Sequence, residues 1–265
     1  MQKKRRLGRI VMKPLATTLL VFFHAIFLVQ PALATSIIAV RVKGQVIIGA
    51  DSKRLHADDG VPFDEPVCKI GKAEGFFFAV GGVATDSETG FTPASVIITA
   101  SKMQGTIEQK VDKIEDMIKE PLIRVLDRFR QEHPLGYGQR FGTGSALQII
   151  FFGVENGYTF VLVSDFIPTP SLSAPVQLNI KRYNCPGAAC PTGEQIFIGG
   201  YYDAIKRFLT EKPDYWRGNP VEAVRRLIEL EIEEVPDNVG PPIDILRVDT
   251  NGGRWIQKKE QCPDF

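Results

Sequence analysis

The sequence predicts an α+β fold, because its strand and helix patterns are grouped along the chain rather than alternating. Four short runs rich in β-branched and aromatic residues come first, and two stretches of helical periodicity follow them. Further strand patterns, two more helices and a closing hairpin complete the chain. A doubly wound sheet would alternate strands with helices, so the grouping favours separate layers of helix and sheet.

Turn signals divide the predicted strands into hairpins. Lys43-Gly44 separates the first two strands, Asn156-Gly157 separates a later pair, and an Asn-Gly-Gly turn at 251–253 separates the last pair. The predicted strands cover residues 36–44, 45–52, 68–72, 75–82, 146–154, 158–166, 176–183, 194–200, 243–248 and 254–258.

Four segments have helical periodicity. The longest runs from Thr106 to His133 and places apolar residues at the i, i+3 and i+4 spacing of an amphipathic helix. Pro121 falls inside this segment, where its missing amide donor predicts a kink or a break. The predicted helices cover residues 93–103, 106–133, 202–210 and 220–234.

The first 34 residues have the three parts of a secretory signal peptide. A basic stretch, MQKKRRLGR, precedes an apolar run at 15–29, and Ala32 and Ala34 then form an A-x-A cleavage site. The alternative is a retained membrane anchor, but the run is shorter than the roughly 20 residues that span a bilayer. We therefore expect a signal peptide at 1–34, a single domain at 35–265, and a secreted or periplasmic protein.

The charge of the chain argues against two classes of partner. The formal net charge of +1 includes the basic leader, so the mature protein is mildly acidic. No segment after the leader is apolar enough to span a membrane. We therefore expect the mature protein to bind neither nucleic acid nor a membrane.

All four cysteines follow the leader, and export to an oxidising compartment favours disulfides. Cys185 and Cys190 enclose the short, turn-rich loop CPGAAC and are the predicted pair. A zinc site is the alternative, although the chain has no second close cysteine pair. Cys68 is equally consistent with a buried, small apolar residue.

The first residues after the leader carry the most specific motif. Asp51 follows Thr35 at a spacing of 16 residues. The stretch TSIIAVRVKGQVIIGADSKR resembles the start of mature proteasome β-type subunits, which are N-terminal nucleophile (Ntn) hydrolases. Lys69, the strand AVGGVATD and the segment IFIGG resemble later motifs of that family, so the resemblance covers most of 35–257. It implies a four-layer αββα sandwich.

The resemblance also implies roles for five residues. Thr35 is the nucleophile, Lys69 lies beside its hydroxyl, and Asp51 pairs with the lysine. The amide of Gly82 donates a hydrogen bond to the oxyanion, and Asp237 helps to hold the terminal amine. Taken singly, each of these has a simpler interpretation, such as a turn former or a solvated lysine. Their order and spacing behind a predicted cleavage site favour the catalytic interpretation.

The chemistry also follows from the residue types alone. A threonine hydroxyl is a weak nucleophile and needs an adjacent base. A free α-amine has a pKa of roughly 7.7–8.0, so part of it accepts protons near neutral pH. A threonine at the chain terminus therefore supplies the nucleophile and the base in one residue.

The sequence departs from the family at the groups that bind the terminal amine. Gly200 and Gly240 stand where the family has serines, so other groups are needed, and Ser164, Thr143 and Ser145 are candidates. Removal of a signal peptide also replaces the family's autocatalytic trimming.

These features predict a secreted, proteasome-like threonine peptidase that cleaves amide bonds in peptides or proteins. A non-peptide amidase or acylase of the same superfamily is one alternative, and a catalytically inactive binding or assembly protein is another. We expect no metal and no organic cofactor. The resemblance also implies a homo-oligomer, although an ATPase partner is not expected because an exported protein has no ATP supply.

Overall fold

Two five-stranded antiparallel sheets form the centre of the protein in a computed structural model that describes residues 35–53, 66–142, 144–169, 174–188, 190 and 193–265. The strand order is β10-β9-β2-β1-β8 in the first sheet and β3-β4-β5-β6-β7 in the second. The strands are β1 (Ser36–Val42), β2 (Gln45–Ala50), β3 (Ile70–Ala73), β4 (Phe76–Gly82), β5 (Leu147–Glu155), β6 (Tyr158–Pro168), β7 (Leu178–Cys185), β8 (Gln195–Gly200), β9 (Asp244–Asp249) and β10 (Gly252–Gln257).

Helices cover the outer face of each sheet. The longest begins at a capping box, in which Thr106 and Gln109 exchange side-chain and backbone hydrogen bonds. The helices are α1 (Pro93–Ser101), α2 (Ile107–Glu132), α3 (Pro134–Phe141), α4 (Asp203–Glu211), α5 (Tyr215–Gly218) and α6 (Pro220–Glu234).

The core consists of three apolar layers, which follow from the alternation of side chains along the strands. In β1, Ile37 and Ala39 point between the sheets, whereas Ile38 and Val40 point to α4 and α6. A third layer lies between the second sheet and α1, α2 and α3. The result is a four-layer αββα sandwich, so the predicted fold class is confirmed.

The helices differ from the sequence-based picture at three places. Helix α2 runs through Pro121 without a break, so the proline does not end it. The Gly-rich segment at Pro134–Phe141 is a helix, α3, because Tyr137 and Phe141 bury one face against the core. Short helix α5 also escaped prediction, since four residues are too few to show a periodic pattern.

The structure contains two disulfides among the described residues. The predicted bond between Cys185 and Cys190 is present. Cys68, for which a disulfide and a buried apolar role were equal alternatives, pairs with Cys262 across 194 positions of sequence. Among the described residues, no helix combines the length and apolarity needed to cross a membrane.

A buried glutamate links α6 to the start of α4. Glu231 is fully buried and accepts a hydrogen bond from the amide of Ile205 at 3.0 Å. Its Oε2 atom has no hydrogen-bond partner among the described residues. Burial raises the pKa of Glu231, because the charged carboxylate loses its hydration.

The raised pKa of Glu231 predicts how stability depends on pH. Because the folded state holds the proton more tightly, this group's contribution is complete at low pH and decreases as pH rises towards the folded pKa. We expect Glu231→Gln to raise the free energy of unfolding at neutral pH, with a gain that disappears below about pH 4. Urea unfolding of both proteins at the two pH values checks this, and a gain that is independent of pH would contradict it.

Candidate active site

Asp51 is the centre of a buried polar site at the end of β2. It is inaccessible to solvent. Its Oδ1 accepts hydrogen bonds from the amide of Ser36 at 2.8 Å and from Lys69 Nζ at 2.6 Å. Its Oδ2 accepts from the amides of Lys53 at 3.0 Å and Gly240 at 3.2 Å. One carboxylate therefore joins four separate chain segments, among them the start of β1 and the residue before β3.

Lys69 completes a buried ion pair with Asp51. The lysine side chain is 6% exposed and the aspartate side chain is 0% exposed. Removing both charges from water costs more than a simple apolar contact would, so such a pair contributes little as a stabilising device. A buried, paired ammonium is instead the kind of group found at functional sites.

Thr35 lies beside this pair. It immediately precedes Ser36, whose amide binds the same Asp51 oxygen as Lys69. Strand alternation directs its side chain between the sheets, and a methyl group built on Gly81 would lie 3.4 Å from Thr35 Cγ2. The threonine is 4% exposed. The structure therefore brings Thr35, Asp51 and Lys69 together.

Gly82 lies at the end of β4, on the side of the site opposite β1. The amide of Val80 donates to the carbonyl of Lys69, and the amide of Val83 donates to the carbonyl of Ala146 in the other direction. In a regular strand this alternation would direct the amide of Gly82 towards the Lys69 side and away from β5. Its φ is +90°, and a methyl group there would lie 2.3 Å from the oxygen of Ala146, so only glycine fits.

Gly81, which the sequence interpretation did not single out, faces Thr35 more directly than Gly82 does. It pairs with Gln148 of β5, and Gln148 pairs in turn with Asp165 of β6. These side chains share one face, so a polar row extends from Thr35 across the second sheet.

The polar row is held by hydrogen bonds between its members. Gln148 Nε2 donates to Asp165 Oδ1 at 2.6 Å, and Ser145 also donates to Asp165. Burial raises the pKa of Asp165, and these two hydrogen bonds oppose that effect. Gln148 Oε1 is buried without a hydrogen-bond partner among the described residues. Only the Gly81-Gly82 pair in the sequence could have indicated a close approach here.

The structure describes two of the three other groups considered for the terminal amine. Ser164 donates to Glu115 at 2.6 Å beneath α2, where Arg182 binds the same carboxylate, so it does not reach Thr35. Thr143 lies outside the described residues. Ser145 belongs to the polar row with Asp165.

Asp237 is not among the residues that the structure brings together. It lies exposed in the turn after α6 and makes no hydrogen bond or ion pair with the other described residues. Its neighbour Asn238 donates to the hydroxyl of Tyr201 at 3.0 Å, and the amide of Tyr201 donates to the carbonyl of Thr35 at 2.8 Å. The turn therefore contacts the site twice, through the Asn238 side chain at Tyr201 and through the Gly240 amide at Asp51.

Gly200 supports the backbone of Thr35. It has a φ of +76°, and a methyl group there would lie 1.9 Å from the carbonyl oxygen of Thr35. A serine side chain at this position would displace that carbonyl, which accounts for the glycine in physical terms.

Gly200→Ala is expected to lower the rate of any reaction at Thr35 by about 100-fold. The added methyl displaces the Thr35 backbone, and a displacement of about 1 Å at a reacting group has an effect of this size. Gly157→Ala is the matched control. Gly157 also has a positive φ, +81°, but has open space around it, so it tests backbone strain alone. Steady-state rates at equal folded fraction check the prediction, and equal rates for the two variants would contradict it.

Comparison with solved structures supports the fold of the chain. No protein-family model matches the chain, and no curated protein sequence matches it. Among solved structures, it is similar to a Gly-1 mutant of Anbu from Hyphomicrobium sp. strain MC1, with a TM-score of 0.52 over 86% of this chain and 89% of that chain. The chain therefore shares the fold of that protein, which here is the four-layer αββα sandwich described above. The two sequences are 14% identical, so the similarity concerns the fold alone.

Three chain segments meet in the buried site. The first residues of β1, the end of β2 and the residue before β3 meet at one edge of the two sheets. The sequence resemblance assigned its nucleophile, its aspartate and its lysine to these three places.

Proposed function

We propose that the chain is an exported, threonine-type amide hydrolase that acts on peptides, with Thr35 as its N-terminal nucleophile. The observation that carries the proposal is the buried ion pair of Lys69 and Asp51 against the first residues of β1, with Lys69 Nζ 2.6 Å from Asp51 Oδ1. A charged lysine with no such function would be more stable in solvent.

The chemistry proceeds through an ester of Thr35. The hydroxyl oxygen attacks the substrate carbonyl carbon, and its proton passes to the α-amine of the same residue. Lys69 supplies a positive charge close to the developing alkoxide. When the C–N bond breaks, the leaving amine takes the proton from the α-amine, and water then hydrolyses the ester.

The oxyanion of the tetrahedral intermediate accepts a hydrogen bond from the amide of Gly82. Gly82 is only partly buried, so substrate can approach it. Loss of one such donor typically costs about 100- to 1,000-fold in rate.

Removal of residues 1–34 switches the site on. While residue 34 is attached, the nitrogen of Thr35 is an amide and cannot accept a proton. A signal peptidase that cleaves after Ala34 creates the amine, so export and activation are one event. Two disulfides are consistent with an oxidising destination.

Two substrate classes fit this chemistry, peptides and small acyl amides, and profiling both with the secreted protein distinguishes them. A covalent probe directed at N-terminal threonine tests the mechanism itself. The proposal predicts stoichiometric labelling of the mature protein and peptide hydrolysis. Absence of labelling would favour a binding or assembly protein that retains the fold, a reading supported by Gly200 and Gly240 in place of the family's serines.

A further inference from the structure

A second buried lysine–carboxylate pair lies next to the proposed active site and has no part in its chemistry. Lys259 Nζ binds the Asp244 carboxylate and Ser52 Oγ, and the Lys259 amide donates to Asp244 Oδ1 at 2.9 Å. Asp244 and Ser52 are 0% exposed and Lys259 is 7% exposed. Ser52 Oγ in turn donates to the carbonyl of Pro242. The group is too enclosed for substrate to reach it.

The segment 258–265 supplies the lysine of this ion pair, Lys259, and one cysteine of a disulfide, Cys262. Cys262 lies three residues after Lys259 and is bonded to Cys68. Cys262 is 2% exposed. We call the Lys259 ion pair and the Cys68–Cys262 bond together the C-terminal clasp.

Each attachment of the clasp lies one residue from the proposed catalytic pair. Ser52 directly follows Asp51, and Cys68 directly precedes Lys69. The two catalytic residues belong to different segments, which also meet through the Asp51–Lys69 contact and through the hydrogen bond that the Val67 amide donates to the Ser52 carbonyl at 3.0 Å. The clasp thus ties the backbone on both sides of that contact to the same stretch of chain.

We propose that Lys259 and the Cys68–Cys262 disulfide are positioning groups that hold Lys69 against Asp51, so that the site is assembled only when the disulfide has formed. This rests on the proposed function. Formation of the bond transfers two electrons and two protons from the thiols of Cys68 and Cys262 to an oxidant. In an oxidising compartment that oxidant is another disulfide, which is reduced to two thiols.

The clasp matters because a buried ion pair is costly when its two charged groups are displaced from one another. Lys69 and Asp51 are desolvated, so their contact depends on good geometry and not on screening by water. A backbone shift of about 1 Å at a catalytic group typically lowers the rate about 100-fold. Release of the clasp removes one restraint from each adjacent backbone segment, so that backbone hydrogen bonds such as that of the Val67 amide to the Ser52 carbonyl are left to resist such a shift.

Paired cysteine variants of the mature secreted protein test the disulfide. We expect Cys68→Ser/Cys262→Ser to lower the rate of Thr35 acylation at least about tenfold, at temperatures where the variant is folded by circular dichroism. Cys185→Ser/Cys190→Ser is the matched control and should react at the wild-type rate. Its bond lies at the far end of the second sheet, since Cys185 pairs with Val161. A clasp variant with the wild-type rate overturns the proposal.

Lysine variants separate positioning from a purely structural role. Lys259→Arg keeps the charge and should retain most of the rate, whereas Lys259→Met should lower kcat with little change in KM. The pH–rate profile of Lys259→Met should also shift, because the surroundings of the Lys69–Asp51 pair change. If Lys259 has a purely structural role, Lys259→Met should lower thermal stability and leave the pH–rate profile of the folded protein unchanged. That result overturns the proposal.

A readout that needs no activity completes the test. The amides of Ser36, Lys53 and Gly240 all donate to Asp51. Loss of the Cys68–Cys262 bond, by dithiothreitol or by the double serine variant, should speed hydrogen exchange at these amides at least about tenfold. The control variant should leave it unchanged. An inactive wild type would contradict the proposed function alone, whereas unchanged exchange contradicts the clasp whether or not the wild type is active.

Discussion

Thr35→Ala is expected to abolish amide hydrolysis while the protein keeps its fold. The substitution removes the attacking hydroxyl, and removal of a nucleophile from a covalent hydrolase lowers kcat by roughly a million-fold. The fold should persist, because β1 keeps its pairing with β2 and β8 and only one methyl and one hydroxyl are lost. Steady-state hydrolysis and thermal unfolding of the secreted variant measure both parts of the prediction.

Thr35→Ser is the matched control for this experiment. Serine keeps a hydroxyl and an α-amine at the same place but lacks the Cγ2 methyl that faces Gly81. We expect it to retain activity, reduced because its hydroxyl is less firmly oriented without the methyl contact. Hydrolysis by the alanine variant at a rate comparable to that of the serine variant would refute Thr35 as the nucleophile.

Asp51→Asn is expected to remove activity and to reduce stability together. The change leaves Lys69 buried without its counterion, and breaking a buried pair in this way costs about 3–5 kcal/mol. The new amide can also replace only one carboxylate oxygen, so an NH₂ group faces donors on the other side. Urea unfolding and hydrolysis rates of the same preparation measure the two losses.

An exposed carboxylate provides the comparison for Asp51. Asp214 forms a surface ion pair with Arg217, and its side chain is 76% exposed. Asp214→Asn should change the free energy of unfolding by less than about 1 kcal/mol, since screened surface pairs contribute little. Equal losses for the two variants would mean that the Asp51 pair is not the buried, tightly coupled group described above.

The sequence predicted the parts of the fold and site that depend on local patterns. Strands β1 and β2 follow from β-branched residues around Lys43-Gly44, and this hairpin fixes the separation of Thr35 and Asp51. Lys69 could be placed only through the resemblance, because nothing local distinguishes it from a solvated lysine.

Other features depend on contacts between distant segments, which one sequence does not reveal. The Cys68–Cys262 bond joins positions 194 apart, and spacing favoured only the short Cys185–Cys190 loop. The Asp244 contacts of Lys259 arise because β9 pairs with β2 and returns the C terminus to Ser52. The polar row at Gln148 requires the register of three strands, which no motif encodes.

Packing also overrode a local propensity. Pro121 removes one backbone donor within α2, yet Ile118, Leu122 and Val125 on either side are buried in the core. Tertiary burial of one apolar face outweighs the loss of a single hydrogen bond, so the helix continues.

Tandem mass spectrometry of the first peptide of the secreted, probe-labelled protein tests the central claim most directly. We expect a chain that begins at Thr35 and carries the probe on that residue. An active protein that begins at another residue, or a label on a different side chain, would contradict it.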